Sequence, residues 1–218
     1  MKIDRNSYGT IAIVYLCCVA LVAVMAIWVK IPVLTWLAVA VALFFSIWQT
    51  AFFRVPQRTP AGDSHKVTSV ADGDVVIIRE VYEPEFLKRQ CIQISVYMDF
   101  WNVHANFWPV DGEITYYKYH PGKHFLAFKP KASEDNEHTC TAIRNSEGQE
   151  VFFKQLAGGF ARRIVCYAEP GMEVKSGLQC GIIKFGSRID MYFPLDAEVK
   201  VILGDIVRGA ETVIAKLA

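Results

Sequence analysis

A mostly β domain, a compact sandwich or barrel, preceded by an N-terminal two-helix transmembrane hairpin is the architecture this sequence predicts. Three observations predict it. Two long uncharged apolar runs follow one another near the N-terminus, from Asn6 to Val29 and from Ile31 to Phe53. Beyond residue 67 the apolar residues fall in short clusters rich in Val, Ile, Tyr and Phe, punctuated by Gly, Pro and Asp, which is the texture of strands and turns. No long stretch past that point carries the 3.6-residue period of an amphipathic helix.

The hairpin comes first. Each apolar run exceeds the ~20 residues that a helix needs to cross a ~30 Å hydrocarbon core. Only Lys30 and Pro32 interrupt them, enough for a tight turn. A signal peptide does not fit, because the second apolar run follows at once and no small-residue cleavage site leads into a polar segment. Lys2 and Arg5 precede the hairpin and Arg54 and Arg58 follow it, with Lys30 alone at the turn. The preference of basic residues for the cytoplasmic side then puts both termini inside, in the inner membrane of a cell, with the polar domain facing the cytoplasm. Trp28, Trp36 and Trp48 lie near the span ends, where interfacial anchoring or helix packing accounts for them equally well.

Residues 54–66 are polar, carry Pro56, Pro60 and Gly62, and read as a linker. The domain organisation is therefore a hairpin over 1–53, a linker over 54–66 and a β-rich domain over 67–218. Strands are expected at 74–79, 91–98, 112–119, 149–156 and 162–167, with a short helix over 83–89. An internal echo relates residues 171–177 to 204–210, each with a glycine, a valine three residues on and small residues at a turn. The pattern is similar to the hairpins of biotinyl and lipoyl carrier domains. Lys175 and Lys184 lack the setting of a carrier lysine, so the echo bears on fold alone.

Charge and cysteine content exclude several classes. Among 218 residues, 23 basic side chains nearly balance 22 acidic ones, so no polyanion-binding field exists and nucleic acid is not an expected partner. The six cysteines, Cys17, Cys18, Cys91, Cys140, Cys166 and Cys180, show no paired spacing and read as thiols in apolar surroundings. His120 and His124 have i, i+4 spacing, but Pro121 and Gly122 between them argue against a helix, and no metal site is expected.

The chemistry centres on Gly186-Ser187, flanked by the apolar segments around Phe185 and Ile189. For such a bond to break itself, Ser187 Oγ attacks the Gly186 carbonyl, the amide becomes an ester, and a base takes the hydroxyl proton. A donor must stabilise the oxyanion. Removal of the serine α-proton then expels the Gly186 carboxylate, and the dehydroalanine left behind tautomerises and hydrolyses to a pyruvoyl group plus ammonia. Glycine before the serine accepts unusual backbone angles at low cost. His104 stands in an aromatic, proline-bounded segment between Asn102 and Asn106, whereas His65 falls in the linker and His120, His124 and His138 fall in loop-like stretches. Taken alone, His104 reads as a hydrogen-bonded structural histidine, and Asp72-Gly73 and Asp111-Gly112 read as turns.

Three segments together alter those readings: Ser69–Val76 with Ala71-Asp72-Gly73, Met98–Gly112 with Asn102-Val103-His104, and Lys184–Pro194 with Phe185-Gly186-Ser187-Arg188. From about residue 54 onward the chain resembles the phosphatidylserine decarboxylase family in its short form. The resemblance implies a proenzyme cleaved between Gly186 and Ser187 into chains 1–186 and 187–218. It implies a pyruvoyl group derived from Ser187 as the covalent cofactor, His104 as base, Asp72 as the residue orienting it, and a membrane phospholipid as substrate. Self-association is left open, as is an ether lipid with the same serine headgroup. Long-form relatives carry a second histidine three residues after the first, where this chain has Phe107. The rival readings are a non-enzymatic membrane-tethered β-barrel adapter of biotinyl or lipoyl carrier type, and a membrane-anchored metallopeptidase.

Overall fold

The computed structural model describes residues 2–61, 63, 65–123, 136–158, 163–184 and 187–218, and divides into two compact units, 1–56 and 57–218. In the first unit, α1 (Tyr8–Val24) continues through a π-helical turn (Met25–Val29) to Lys30, which adopts a left-handed conformation (φ 58°) and ends it. α2 (Pro32–Phe52) starts with proline in its first turn, where the missing N–H costs nothing. The two helical stretches, Tyr8–Val29 and Pro32–Phe52, have mean hydropathies of 2.8 and 1.8 and are long and apolar enough to cross a membrane. None of the first span is buried within the protein, and Trp28 and Trp36 are exposed. That exposed apolar surface is unlike the buried surface of a soluble protein's core helix. At its base, β1 (Lys2–Ile3) pairs with β2 (Arg54–Val55), and the buried Asp4 carboxylate accepts the Ser7 hydroxyl at 2.7 Å. Between the helices, Tyr15 Oη and Thr50 Oγ1 lie 2.7 Å apart.

The second unit is built of strands. In order they are β3 (Lys66–Thr68), β4 (Gly73–Glu83), β5 (Arg89–Met98), β6 (Ala105–Phe107), β7 (Gly112–His120), β8 (His138–Arg144), β9 (Glu150–Ala157), β10 (Arg163–Cys166), β11 (Glu173–Val174), β12 (Gln179–Lys184), β13 (Ser187–Phe193), β14 (Glu198–Val199), β15 (Ile206–Val207) and β16 (Val213–Lys216). An eight-stranded antiparallel sheet runs β11-β7-β8-β9-β13-β5-β4-β15, and three-stranded sheets β10-β12-β6 and β14-β16-β3 accompany it. The large sheet is strongly curled. The β4–β5 turn reaches His120 and Cys140 on β7 and β8, several strands away in the order.

The glycine echo has a structural counterpart. β11 lies on the edge beside β7, and β15 lies on the opposite edge beside β4. Gly112 and Gly73 open the two inner strands, and a Cβ on either would come within 2.1 Å of a carbonyl oxygen, that of Arg144 or of Tyr97. The bulges match as well, falling between Ile114 and Tyr116 on β7 and between Val75 and Ile77 on β4. Asp111 accepts the Ser176 N–H at 2.7 Å, and Asp72 accepts the Gly209 N–H at 2.8 Å. The Asp-Gly pairs thus perform the same local task on both flanks: the carboxylate ties down a neighbouring hairpin and the glycine admits a close strand.

The expected helix over 83–89 is a turn instead. Glu83, at the end of β4, accepts the N–H groups of Phe86 and Leu87 at 2.8 Å each, and Lys88 at φ 50° returns the chain into β5. Those contacts close the turn on the Glu83 carboxylate, and the left-handed residue stops helical propagation. The main core, including Ile94, Val96, Met98, Ile189 and Met191, lies on one face of the large sheet. A second cluster of Cys91, Cys140, Ala142, Phe152 and Tyr192 lies on the other, where Phe86 stacks on Phe152 with centroids 5.6 Å apart. All six cysteines are free thiols, of which Cys91, Cys140 and Cys180 are buried.

Candidate active site

Ser187 is the first residue of β13, the strand held on one side by β5 and on the other by β9. Its partners are Met98 and Ala157. The side chain is fully buried on the main-core face, with Oγ 3.8 Å from Met98 Sδ. β12 ends at Lys184 in a different sheet, so only Phe185 and Gly186, both outside the described residues, connect two independently anchored strands.

His104 lies immediately before β6, which pairs with β12 through Ala105↔Ile182 and Asn106↔Gly181. The same edge continues one residue further, where the His104 carbonyl accepts the Ile183 N–H at 3.4 Å. Two segments far apart in sequence, 104–107 and 179–183, are thereby brought side by side. The imidazole is buried and its Nδ1 lies 3.1 Å from the Asn102 carbonyl oxygen. A proton on Nδ1 satisfies that carbonyl and leaves Nε2 as the basic nitrogen.

Asp72 is placed differently from the histidine-orienting residue of a triad. Its carboxylate receives both bonds of one Arg58 nitrogen, at 2.6 and 2.9 Å, and the N–H of Gly209. Arg58 also lies over the Phe107 ring, 5.5 Å from its centroid. Phe107 is part of β6 with Ala105 and Asn106. Asp72 therefore bears on the His104 segment through Arg58 and Phe107.

Several contributors escape sequence reasoning. Met98 Sδ also lies 3.7 Å from Asn106 Nδ2; Asn106 Oδ1 accepts Gln155 Nε2 at 2.8 Å, and Gln155 Oε1 accepts Thr139 Oγ1 at 2.9 Å. This buried chain fixes the walls beside Ser187 from four different strands, and no local motif announces it. Next to Ser187, Arg188 and Asp190 form a fully buried pair at 2.8 and 3.0 Å on the opposite face of β13. Burial of two charges persists only with such close pairing.

The other histidines also have defined places. His65 pairs with Glu147 at 3.1 Å. His120 and His138, expected in loops, are strand residues directly opposite one another, because the β7–β8 ladder extends to its last pair. His124 lies outside the described residues. Around His120, burial pushes the Glu85 carboxyl up, but hydrogen bonds from Tyr116, Cys140 and His120 outweigh it and hold it at about 2.

Comparison with known proteins agrees with this arrangement of segments. The family profile "Phosphatidylserine decarboxylase" matches residues 45–215. A phosphatidylserine decarboxylase proenzyme of Amoebophilus asiaticus is 46% identical over 172 residues, covering 79% of this chain and 76% of that protein. One from Porphyromonas gingivalis is 36% identical over 219 residues, covering 100% of this chain and 99% of its own, so the similarity includes the apolar helices. One from Bacteroides fragilis is 44% identical over 189 residues, covering 86% of this chain and 82% of that protein. With the profile running from the last turns of α2 through nearly the whole β unit, and one relative matched along the entire chain, the chain belongs to the phosphatidylserine decarboxylase family.

Proposed function

We propose that this protein is a membrane-associated phosphatidylserine decarboxylase, made as a proenzyme that cleaves itself between Gly186 and Ser187. The observation that carries the reading is the position of Ser187. It starts a strand pinned on both sides, directly after a two-residue connector that crosses from one anchored sheet to another. The nucleophile is then fixed at the start of a doubly paired strand, which lowers the entropic part of the barrier. His104, carried beside β12 by β6, takes the hydroxyl proton and delivers it to the departing amine of Ser187. Asp72 supports that histidine, acting through Arg58 and Phe107 on the strand that carries it.

A pyruvoyl group fits residue 187. The position is buried, its wall toward Met98 and Ala157 is apolar, and the strand that would begin with it keeps both ladders after the preceding bond is gone. When present, the group supplies an electron sink for the bond that breaks as carbon dioxide leaves the serine headgroup, yielding phosphatidylethanolamine. The chain's own contribution is to hold that position away from water and to return a proton from His104 to the headgroup carbon.

The apolar hairpin keeps the enzyme at its substrate, with both termini and the β unit on the cytoplasmic side of the inner membrane, as the basic residues flanking the spans favour. The glycine-flanked hairpins before β12 and at β15 are, in this reading, relatives of biotinyl and lipoyl carrier hairpins. A carrier-type adapter without catalysis is not favoured, since it leaves Ser187 and His104 without a task.

The test is Ser187→Ala in the full chain. Wild type should separate on a denaturing gel into chains 1–186 and 187–218, the smaller blocked to N-terminal sequencing and matching a pyruvoyl terminus by mass. The variant should remain whole and inactive on phosphatidylserine. An intact wild-type chain with full activity would refute the proposal.

A further inference from the structure

The face of the large sheet opposite the Ser187 hydroxyl holds a side-chain cluster that the decarboxylation does not use. Glu85 in the β4–β5 turn, His120 at the end of β7, and His138 and Cys140 on β8 each offer one ligand atom, and these atoms all lie within 4.8 Å of one another. The backbone explains the convergence. His120 and His138 are directly paired across the β7–β8 ladder, with rings stacked 4.5 Å apart. Cys140 lies two residues beyond His138, and side chains two apart on a strand share a face. Glu85 is delivered from above by the turn that Glu83 braces.

The surroundings are those of prepared ligands. His138 Nδ1 lies 2.7 Å from the Asn136 carbonyl oxygen, which places the ring proton there and leaves Nε2 with its lone pair. A carbonyl or carboxylate behind a histidine in this way is the usual support of a metal ligand. Glu85 Oε1 lies 2.6 Å from His120 Nε2 and accepts the Tyr116 hydroxyl at 2.8 Å, while Cys140 Sγ donates to Oε2 at 3.2 Å. The protons of His120 and Cys140 thus occupy the space between the donors. Lys118 and Lys154 stand 3.7 and 3.9 Å from Glu85, beyond hydrogen-bond distance, and Lys154 is nearer to Glu83 at 3.3 Å.

We propose that Glu85, His120, His138 and Cys140 form a structural zinc site. One thiolate, two imidazoles and one carboxylate complete four-coordinate tetrahedral zinc, with metal–ligand bonds of ~2.0–2.3 Å that draw the four atoms slightly inward. On binding, the Cys140 thiol proton leaves to solvent as the zinc–sulfur bond forms, the His120 ring exchanges its Nε2 proton for one on Nδ1 so that Nε2 can ligate, and the thiolate and carboxylate together offset the dication's charge. A sulfur and two nitrogens disfavour magnesium and calcium, which select oxygen. With four protein ligands the site has no open position for catalysis. Its effect is to clamp the β4–β5 turn onto β7–β8, over the second apolar cluster. The expectation of no metal, argued from His120 and His124, considers only ligands near in sequence; the partner of His120 is His138, across the ladder.

The site stands independently of the Ser187 chemistry and is tested without assaying it. Untagged full-length protein, purified in detergent with no added metal, should carry about one zinc per chain by elemental analysis. Dialysis against a chelator should remove it and lower the thermal midpoint, with zinc restoring both and magnesium neither. Cobalt(II) loaded in its place should show tetrahedral visible bands and a thiolate charge-transfer band. Cys140→Ser should lose the charge-transfer band and most of the zinc, and His138→Gln most of the zinc, whereas His65→Gln, at the surface pair with Glu147, should keep it. If either ligand variant fails to fold, the wild-type zinc content and cobalt spectrum decide. Wild type with less than about a tenth of an equivalent of zinc, and no charge-transfer band after cobalt loading, would overturn the proposal.

Discussion

Ser187 occupies a position where packing alone would prefer an apolar residue. It is fully buried, and its hydroxyl faces a thioether sulfur at 3.8 Å, a weak acceptor. Such a site penalises a hydroxyl unless the group has another use. Ser187→Ala should therefore unfold no more easily than an uncleaved wild-type precursor, by thermal melts. His104→Ala should slow chain separation about 10²-fold or more, the usual contribution of a positioned base, measured as the time course of cleavage after synthesis. Asp72→Asn keeps an acceptor for Gly209 but loses the charge facing Arg58. It should slow cleavage less than His104→Ala, and Arg58→Ala should behave alike, because both act through the Phe107 strand. Wild-type cleavage by His104→Ala would return that residue to a structural role.

At the level of elements, the two flanks of the large sheet repeat one device, an Asp-Gly pair opening a bulged strand beside a short edge strand. Gly73 and Gly112 both sit where a Cβ would come within 2.1 Å of a backbone oxygen. Either Gly→Ala change must move a strand. Each should destabilise the fold by about 3 kcal/mol, the upper range for overpacking, read from denaturant midpoints. Their consequences for processing should differ. Gly73 adjoins Asp72 and lies against the Tyr97 carbonyl, one residue before Met98, so Gly73→Ala should also slow cleavage. Gly112→Ala perturbs the flank beside β8 and should leave the cleavage rate of the folded fraction near wild type.

For the whole molecule, the C-terminal chain produced by cleavage would still contribute β13 to the middle of the large sheet, β15 to its edge, and β14 and β16 to the small sheet. Segments 1–186 and 187–218 should therefore copurify under native conditions and part only in denaturant. Dissociation in mild detergent would contradict that assignment. Removal of residues 1–53 deletes both long apolar helices and none of the candidate reactive groups. Self-cleavage is intramolecular and should survive, while turnover of phosphatidylserine in bilayers should fall sharply and recover with detergent-dispersed or short-chain lipid. Loss of cleavage in a folded truncated protein would make the hairpin part of the catalytic structure.

The apolar spans, the strand texture and the family resemblance carried by the segments around Asp72, His104 and Ser187 were legible from the chain alone. Hydropathy and local backbone demands are local properties, written residue by residue. The expected strands at 74–79, 91–98 and 112–119 fall within longer β4, β5 and β7, and that at 149–156 is offset by one residue from β9, while β8 and the turn after Glu83 departed from expectation. What only tertiary structure decided was who meets whom. Period-two alternation states which face a side chain takes but not which strand lies beside it. The β6–β12 pairing that sets His104 beside Ile183, near the end of β12, could not be read from either segment. Neither could the Arg58 partner of Asp72, nor the meeting of Glu85, His120, His138 and Cys140 from three separate elements.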